Sequence, residues 1–285
     1  MTGPNTPAAQ SNASPARVPA LSLSLDHVGL IVPDLEAARA LWSDLGFTLT
    51  RRADHTRTGP DGQRIPAGSA QHSVMLETGY IELMQITDPH AGHPLTPAMQ
   101  QRFGLHILAL ATEDPKATHA ALAARGCALS PVMDWSRPVS EDGAEGLARF
   151  QFFDTPWQAS DASYFCWVRH MTPELMRPPG LLTHANGAQA LRGLTYEGSP
   201  ASCEGWRARL ASLAVDLRDG LRVVATTPST QVLPVAIEVA FADLGELADR
   251  ARRCGIKPEP VSGGLQLDLG PRSPIRIDAR SGPSA

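Results

Sequence analysis

The sequence predicts an α+β fold built from four βαβββ modules arranged as two paired half-barrels. Two observations carry this. A short apolar strand followed by a capped amphipathic helix and then further strands begins at Leu23, returns at Leu105 and near Leu191, and is clearest at Val235. Each such helix has one apolar stripe, so it covers one face of a small mixed sheet and leaves the other face needing a partner. Two modules side by side then enclose a cavity.

The elements follow in order. Leu23 to Pro33 reads LSLDHVGLIVP, a β-branched apolar run and hence a strand. Asp34 suits an N-cap, since its carboxylate can accept a bond from a free amide of the first turn. Leu35, Ala38, Trp42 and Leu45 recur at helical spacing, and Gly46 stands where a left-handed C-terminal residue is wanted. Strands are expected at Phe47–Arg52, His72–Glu77 and Tyr80–Thr87. The second module has a strand at Leu105–Ala111, Asp114 and Pro115 as N-cap and first helical residue, a helix to Gly126, and strands at Cys127–Met133, Leu147–Phe153 and Tyr164–Arg169. In the third, Ser199 and Pro200 start a helix with Trp206, Leu210 and Leu213 on one face. In the fourth, a strand at Val235–Phe241 leads to the cap Asp243, the face Leu244, Leu247 and Ala251, the stop Gly255, and strands at Leu265–Leu269 and Ile275–Ala279.

This reading divides the chain into a disordered leader over residues 1–20, a first module pair over 21–170, a linker over 171–190 and a second pair over 191–285. The linker carries Pro173, Pro178, Pro179 and Gly180, which suit a connection. The leader is rich in Ala, Pro, Ser, Asn and Thr and lacks the apolar segment of a secretory signal.

Composition sets bounds on function. A formal charge of -4 and the absence of a basic stripe give no footprint for nucleic acid. No apolar run is long enough to span a bilayer. Cys127, Cys166, Cys203 and Cys254 lie far apart with no CxxC pair, which points to reduced thiols in a cytoplasm.

The segments LDHVGLIVPDLEAARALWSDLGF and GYIELMQITDP resemble the opening module of glyoxalase-like proteins, the vicinal oxygen chelate superfamily. GLHILALAT, FCWVRHMTPEL and HANGA are similar to a bacterial branch of glyoxalase-like domain proteins. The likeness runs from about Leu25 to Gly187; in modules three and four it rests on element order. It implies two glyoxalase-like half-barrels and a small-molecule ligand, with a homodimer as the assembly to test.

Metal-using members of the superfamily take one ligand from the first strand and one from the last strand of each module in a pair. Carried across motif by motif, this places His27 and Glu82 in module one and His106 in module two as ligands. Cys166 stands at the fourth position, where such relatives usually have a carboxylate. The implied cofactor is a divalent ion (Fe, Mn, Zn or Ni), and the implied enzyme a lyase, isomerase or dioxygenase acting on a molecule with two adjacent oxygens. Side-chain alternation agrees, because His27 shares its strand face with Gly29, and a carboxylate at Glu82 in an apolar strand needs a partner. A second reading pairs Glu82 with Arg137, Arg149 or Arg169 and makes the chain a metal-free binding or resistance protein. A one-residue slip in the strand of His106 would turn it to the other face. Arg149, alternating with Phe150, and His184, in the HANGA piece, are the candidates for substrate contact; His170 is a candidate proton carrier. The second pair, without His or Glu at the matching positions and with Ala236 near one of them, reads as scaffold.

Overall fold

The computed structural model describes residues 21, 23–58, 61–141, 143–158, 161–215, 220–226 and 229–282. The expected leader lies outside them. The first module is β1 (Ser24–Ile31), α1 (Leu35–Asp44), β2 (Ala53–Thr58), β3 (Arg64–Met75) and β4 (Tyr80–Ile86). A short helix, α2 (Thr96–Gln101), leads to β5 (Gly104–Ala111), α3 (Pro115–Ala123), β6 (Met133–Glu141), β7 (Ala144–Asp154) and β8 (Tyr164–His170). After α4 (Pro173–Met176) come β9 (Ala188–Gly198), α5 (Pro200–Ser212) and β10 (Leu221–Ala225). The chain closes with β11 (Leu233–Phe241), α6 (Leu244–Arg253), β12 (Glu259–Val261), β13 (Gly264–Asp268) and β14 (Arg276–Ser281).

The helix starts obey local chemistry. Asp34 Oδ1 accepts from the Ala37 amide at 2.9 Å and Asp114 Oδ1 from the Ala117 amide at 3.0 Å, while Ser199 and Asp243 cap α5 and α6 in the same way. Among the described residues, no helix is long and apolar enough to cross a membrane.

The strands form one sheet of eight in the order β2-β3-β4-β1-β5-β8-β7-β6 and one of six in the order β10-β9-β11-β14-β13-β12. This is the paired half-barrel arrangement. Each pair joins through its first strands, β1 against β5 and β9 against β11, both antiparallel. Module three departs from the expected pattern: among its described residues it keeps β9, α5 and β10, without the intervening hairpin.

Two expected strands are not strands. Residues 47–52 and 127–132 run without ladder pairing before β2 and β6 begin. Their apolar residues serve the core instead. Phe47 is buried against Trp42 (4.9 Å between ring centres) and Phe241 (6.0 Å), and Leu129 and Val132 pack on the same cluster. The apolar signal was real, but it reported burial and not strand pairing. The expected linker is also shorter than 171–190, since β9 starts at Ala188.

Bulges in each central ladder set what faces the cavity. In β1–β5 the register steps from Leu25↔Leu110 to His27↔Ala109, which leaves Asp26 as an extra residue. It then steps from Gly29↔Ile107 to Leu30↔Leu105, which leaves His106 as the extra residue on the other strand. The two modules are therefore related with Asp26 matched to His106 and His27 matched to Ile107. The second pair repeats the device with Val235 and Arg192 as the extra residues and adds a third step that leaves Gln189 extra.

The core runs through both halves. One cluster of buried side chains takes in Leu30, Trp42, Phe47 and Phe165 from the first half and Tyr196, Trp206, Phe241 and Ile277 from the second. The Trp42 indole donates to Ser273 Oγ at 3.0 Å across the two halves.

Candidate active site

The first pair encloses a cavity of about 490 Å³. Its floor is the inward face of β1, β4, β5 and β8, and its walls are the hairpins β2–β3 and β6–β7. Strand alternation accounts for the floor. Tyr80, Glu82 and Met84 of β4 line it, as do Ile107 of β5 and Tyr164, Cys166 and Val168 of β8, together with His27 of β1.

His27, Glu82 and Cys166 therefore share the cavity, as expected from the sequence. His106 does not. It is the bulged residue, fully buried on the other side, where Nε2 bonds to the Arg102 carbonyl at 3.0 Å. Ile107 takes the place expected for it. Ile107 also fills the space beside Gly29: a Cβ there would meet Ile107 Cδ1 at 2.5 Å. The missing side chain thus makes room for the isoleucine and not for the imidazole.

Arg149 and His184 are corrected as well. Neither lines the cavity. Arg149 is exposed on β7. His184 is buried as a clasp, its Nδ1 accepting from the Thr48 amide (3.0 Å) and its Nε2 donating to the Met75 carbonyl (2.8 Å). Neighbouring Asn186 donates to the Leu45 carbonyl, so the HANGA segment ties the start of β9 to the end of α1.

The chemistry the sequence did not reveal centres on Asp26. The bulge places its carboxylate beside the ring of the next residue, with His27 Nδ1 at 2.7 Å from Oδ1 and His170 Nε2 at 3.2 Å from the same oxygen. Burial pushes the Asp26 carboxyl up, but the bonds from His170 and His27 and their charges outweigh this and hold it well below the ordinary carboxylate range. A carboxylate only accepts, so the hydrogen of this bond sits on His27 Nδ1. Tyr80 stacks on the ring at 4.2 Å between centres and 21° between planes, which holds its orientation. Burial, with the charges of Asp26 and Glu82 adding and that of Arg137 opposing, lifts the Tyr80 hydroxyl well above its usual value, so it stays protonated.

Glu82 and His27 are each 8 % exposed. The Glu82 carboxylate forms no hydrogen bond or ion pair with any described residue; neither Arg137 nor Arg169 reaches it. A carboxylate that lines the cavity without a protein partner is free to accept from a donor on a bound molecule. Cys166 is a different neighbour. Burial and the nearby carboxylates push its thiol well above the ordinary value, so it remains a thiol.

The second pair differs at the matching positions. By register Gly193 and Ala236 stand where His27 does, and Arg222 and Asp278 where Glu82 does. The charged ones are paired: Arg222 with Glu238, and Asp278 with Gln266 Nε2 at 2.9 Å and Arg276 at 3.5 Å. None of the four is His or Glu; two are small, and the two charged ones are held by internal pairing.

A model of the glyoxalase-like domain matches residues 25–214. The chain belongs to the glyoxalase-like domain family. Its fold is that of the vicinal oxygen chelate superfamily. A hypothetical protein from Staphylococcus aureus superposes with a TM-score of 0.61 at 10% identity, over 90% of this chain and 99% of that one. A mutant of 4-hydroxymandelate synthase from Streptomyces coelicolor gives 0.57 at 10% identity, over 91% and 92%. A variant of homoprotocatechuate 2,3-dioxygenase from B. fuscum gives 0.53 at 12% identity, over 93% and 73%. No curated protein has a matching sequence.

The resemblance implied a metal held by three protein ligands, and the residues present do not fit one. His27 and Glu82 offer suitable atoms, but Ile107 stands at the third position and Cys166 is a protonated thiol. Among the described residues, no group of three or more His, Cys, Asp or Glu side chains is arranged to hold an ion.

His106 provides a test of its own placement. Burial, with the Arg102 charge adding to it, pushes the imidazole down to about 4 from 6.5. The folded state therefore binds that proton less well than the unfolded state, and stability falls as pH drops from 6.5 toward 4. The expected loss is about 3 kcal/mol over that window. His106→Gln should flatten this part of a urea-unfolding pH profile; an unchanged slope would place the histidine in solvent.

Proposed function

We propose that this glyoxalase-like chain is an enzyme of the lyase or isomerase kind that binds a small organic molecule in the first pair's cavity and takes a proton from it with His27 Nε2. The observation that carries the reading is the Asp26–His27 contact. A buried carboxylate holds the imidazole in one tautomer and stabilises the positive ring that proton transfer would create. Tyr80 keeps the ring plane, and apolar walls limit water. Glu82, on the same floor and without a protein donor, accepts a hydrogen bond from a hydroxyl or enol of the bound molecule. His170 bonds to the same oxygen of Asp26 and helps to restrain it.

The test works on a pool of compounds, so the substrate need not be identified beforehand. Purified protein is incubated in heavy water with a mixture of 2-oxo and 2-hydroxy acids, whose C–H bonds next to a carbonyl (C3–H in the oxo acids, C2–H in the hydroxy acids) are acidified, and deuterium uptake is followed by mass spectrometry. Uptake into at least one acid is expected, and His27→Gln should reduce it about 100-fold or more. Binding without uptake in the parent protein would defeat the reading and leave a binding protein. Equal uptake in the variant would remove His27 from the chemistry.

A further inference from the structure

The cavity mouth carries arginines that the fold leaves without anions. Beside it lies a cleft of about 690 Å³ between β2–β3 and β6–β7, lined by Arg51, Arg52, Arg64 and Arg137. Arg52 is occupied by Asp54 and Glu36. Arg51, Arg64 and Arg137 form no ion pair with a described residue: Arg64 bonds to the Thr56 hydroxyl, and Glu141, also in the cleft, accepts from the Arg51 backbone amide at 2.8 Å. Arg137 is the one that belongs to both cleft and cavity. It is half-buried, and among the described residues its side chain bonds to Met176 Sδ at 3.5 Å alone, a weak acceptor. A guanidinium has five donors in a planar fork that matches carboxylate or phosphate, and partial burial strengthens the attraction.

The surface beside Arg137 is aromatic. Trp135, from the same strand, lies 6.0 Å from Phe150 and 6.3 Å from Phe152 between ring centres, and all three line the cavity. The cavity is thus polarised: cationic at the mouth, aromatic along the wall, and acceptor-bearing at the floor, where Glu82 and His27 sit.

Resting on the proton-transfer reading for its orientation only, we infer that the ligand is an organic anion with an apolar body of about aryl size. Its carboxylate or phosphate meets Arg137 at the mouth, its body lies on Trp135, Phe150 and Phe152, and its reacting end points to His27. Arg137 is then the residue that sets specificity for charge. The wall selects for size and flatness through apolar contact.

Calorimetric titration with 3-phenylpropionate, 2-phenylethyl phosphate and neutral 3-phenylpropan-1-ol tests this on the full chain. At least one anion should bind about tenfold or more tightly than the alcohol. The stronger of the two anions identifies the head group. Arg137→Gln should erase the preference while leaving alcohol binding unchanged, and Arg137→Lys should restore part of it. Thermal unfolding of both variants checks that they fold; should the glutamine variant fail, the lysine variant's weakened anion preference carries the test. The inference is overturned if the alcohol binds as well as both anions, if no anion binds at millimolar concentration, or if folded Arg137 variants keep the full preference. His27→Gln should keep the anion preference. A parent protein that prefers anions but exchanges no protons would defeat the proton-transfer reading and leave this one standing.

Discussion

A chain ended after Gly187 is expected not to fold into a soluble first half. The cut would bare Trp42, Phe47, Leu30 and their neighbours, which are packed against Tyr196, Phe241 and Ile277 in one cluster. It would also strip the Trp42 indole of Ser273 and release the strand that bonds to the Glu77 and Thr78 backbone. Each large apolar side chain returned to water costs about 1.5–3 kcal/mol, and several are returned at once. That exceeds the margin of a typical domain. The exposed face is also wide enough to drive aggregation. On this view the second pair supports the first. Expression of the truncated chain, followed by size-exclusion chromatography and circular dichroism, decides the matter. A soluble monomer with a cooperative thermal transition would show that the first pair is independent.

Asp26→Ala should be the most damaging single substitution in the site. It removes a buried charge that two imidazoles share, and breaking such a group by taking out one member costs about 3–5 kcal/mol. The pH dependence has a definite sign. The folded carboxyl titrates well below its ordinary value of 3.8, so its contribution is full above about pH 5, begins to decline near pH 4 and is lost only as pH falls through the lower folded value. The difference between parent and variant should therefore be large at about pH 7 and shrink at about pH 3. Urea unfolding at the two values measures it. A difference that is equal at both would mean that the carboxylate's charge is not what matters. In the deuterium-uptake assay the same variant should lose most activity, because the ring would no longer be held in one tautomer.

The local grammar of this chain was readable without coordinates. Asp34, Asp114, Ser199 and Asp243 each stand before a helix and each caps it, because an N-cap bond spans only two or three residues. The α+β class and the repeated module follow from the same short-range signals. His27, Glu82 and Cys166 share a cavity face because alternation along a strand is also local. Sequence proximity misled where ladders are irregular. The bulges at Asp26 and His106 are a property of two strands meeting, invisible in either alone. One of them brings Asp26 to His27, and the other turns His106 away and seats Ile107 in its place. Residues 47–52 and 127–132 look like strands because their apolar side chains are needed by the core, and only packing tells burial from pairing. Arg137 and Trp135 gain meaning from the opposite wall, and His170 from a carboxylate far along the chain. The amino-acid sequence determined the modules, their caps and which strand faces turn inward. The tertiary structure decided which polar groups meet, since register and long-range approach depend on contacts between segments far apart in the chain.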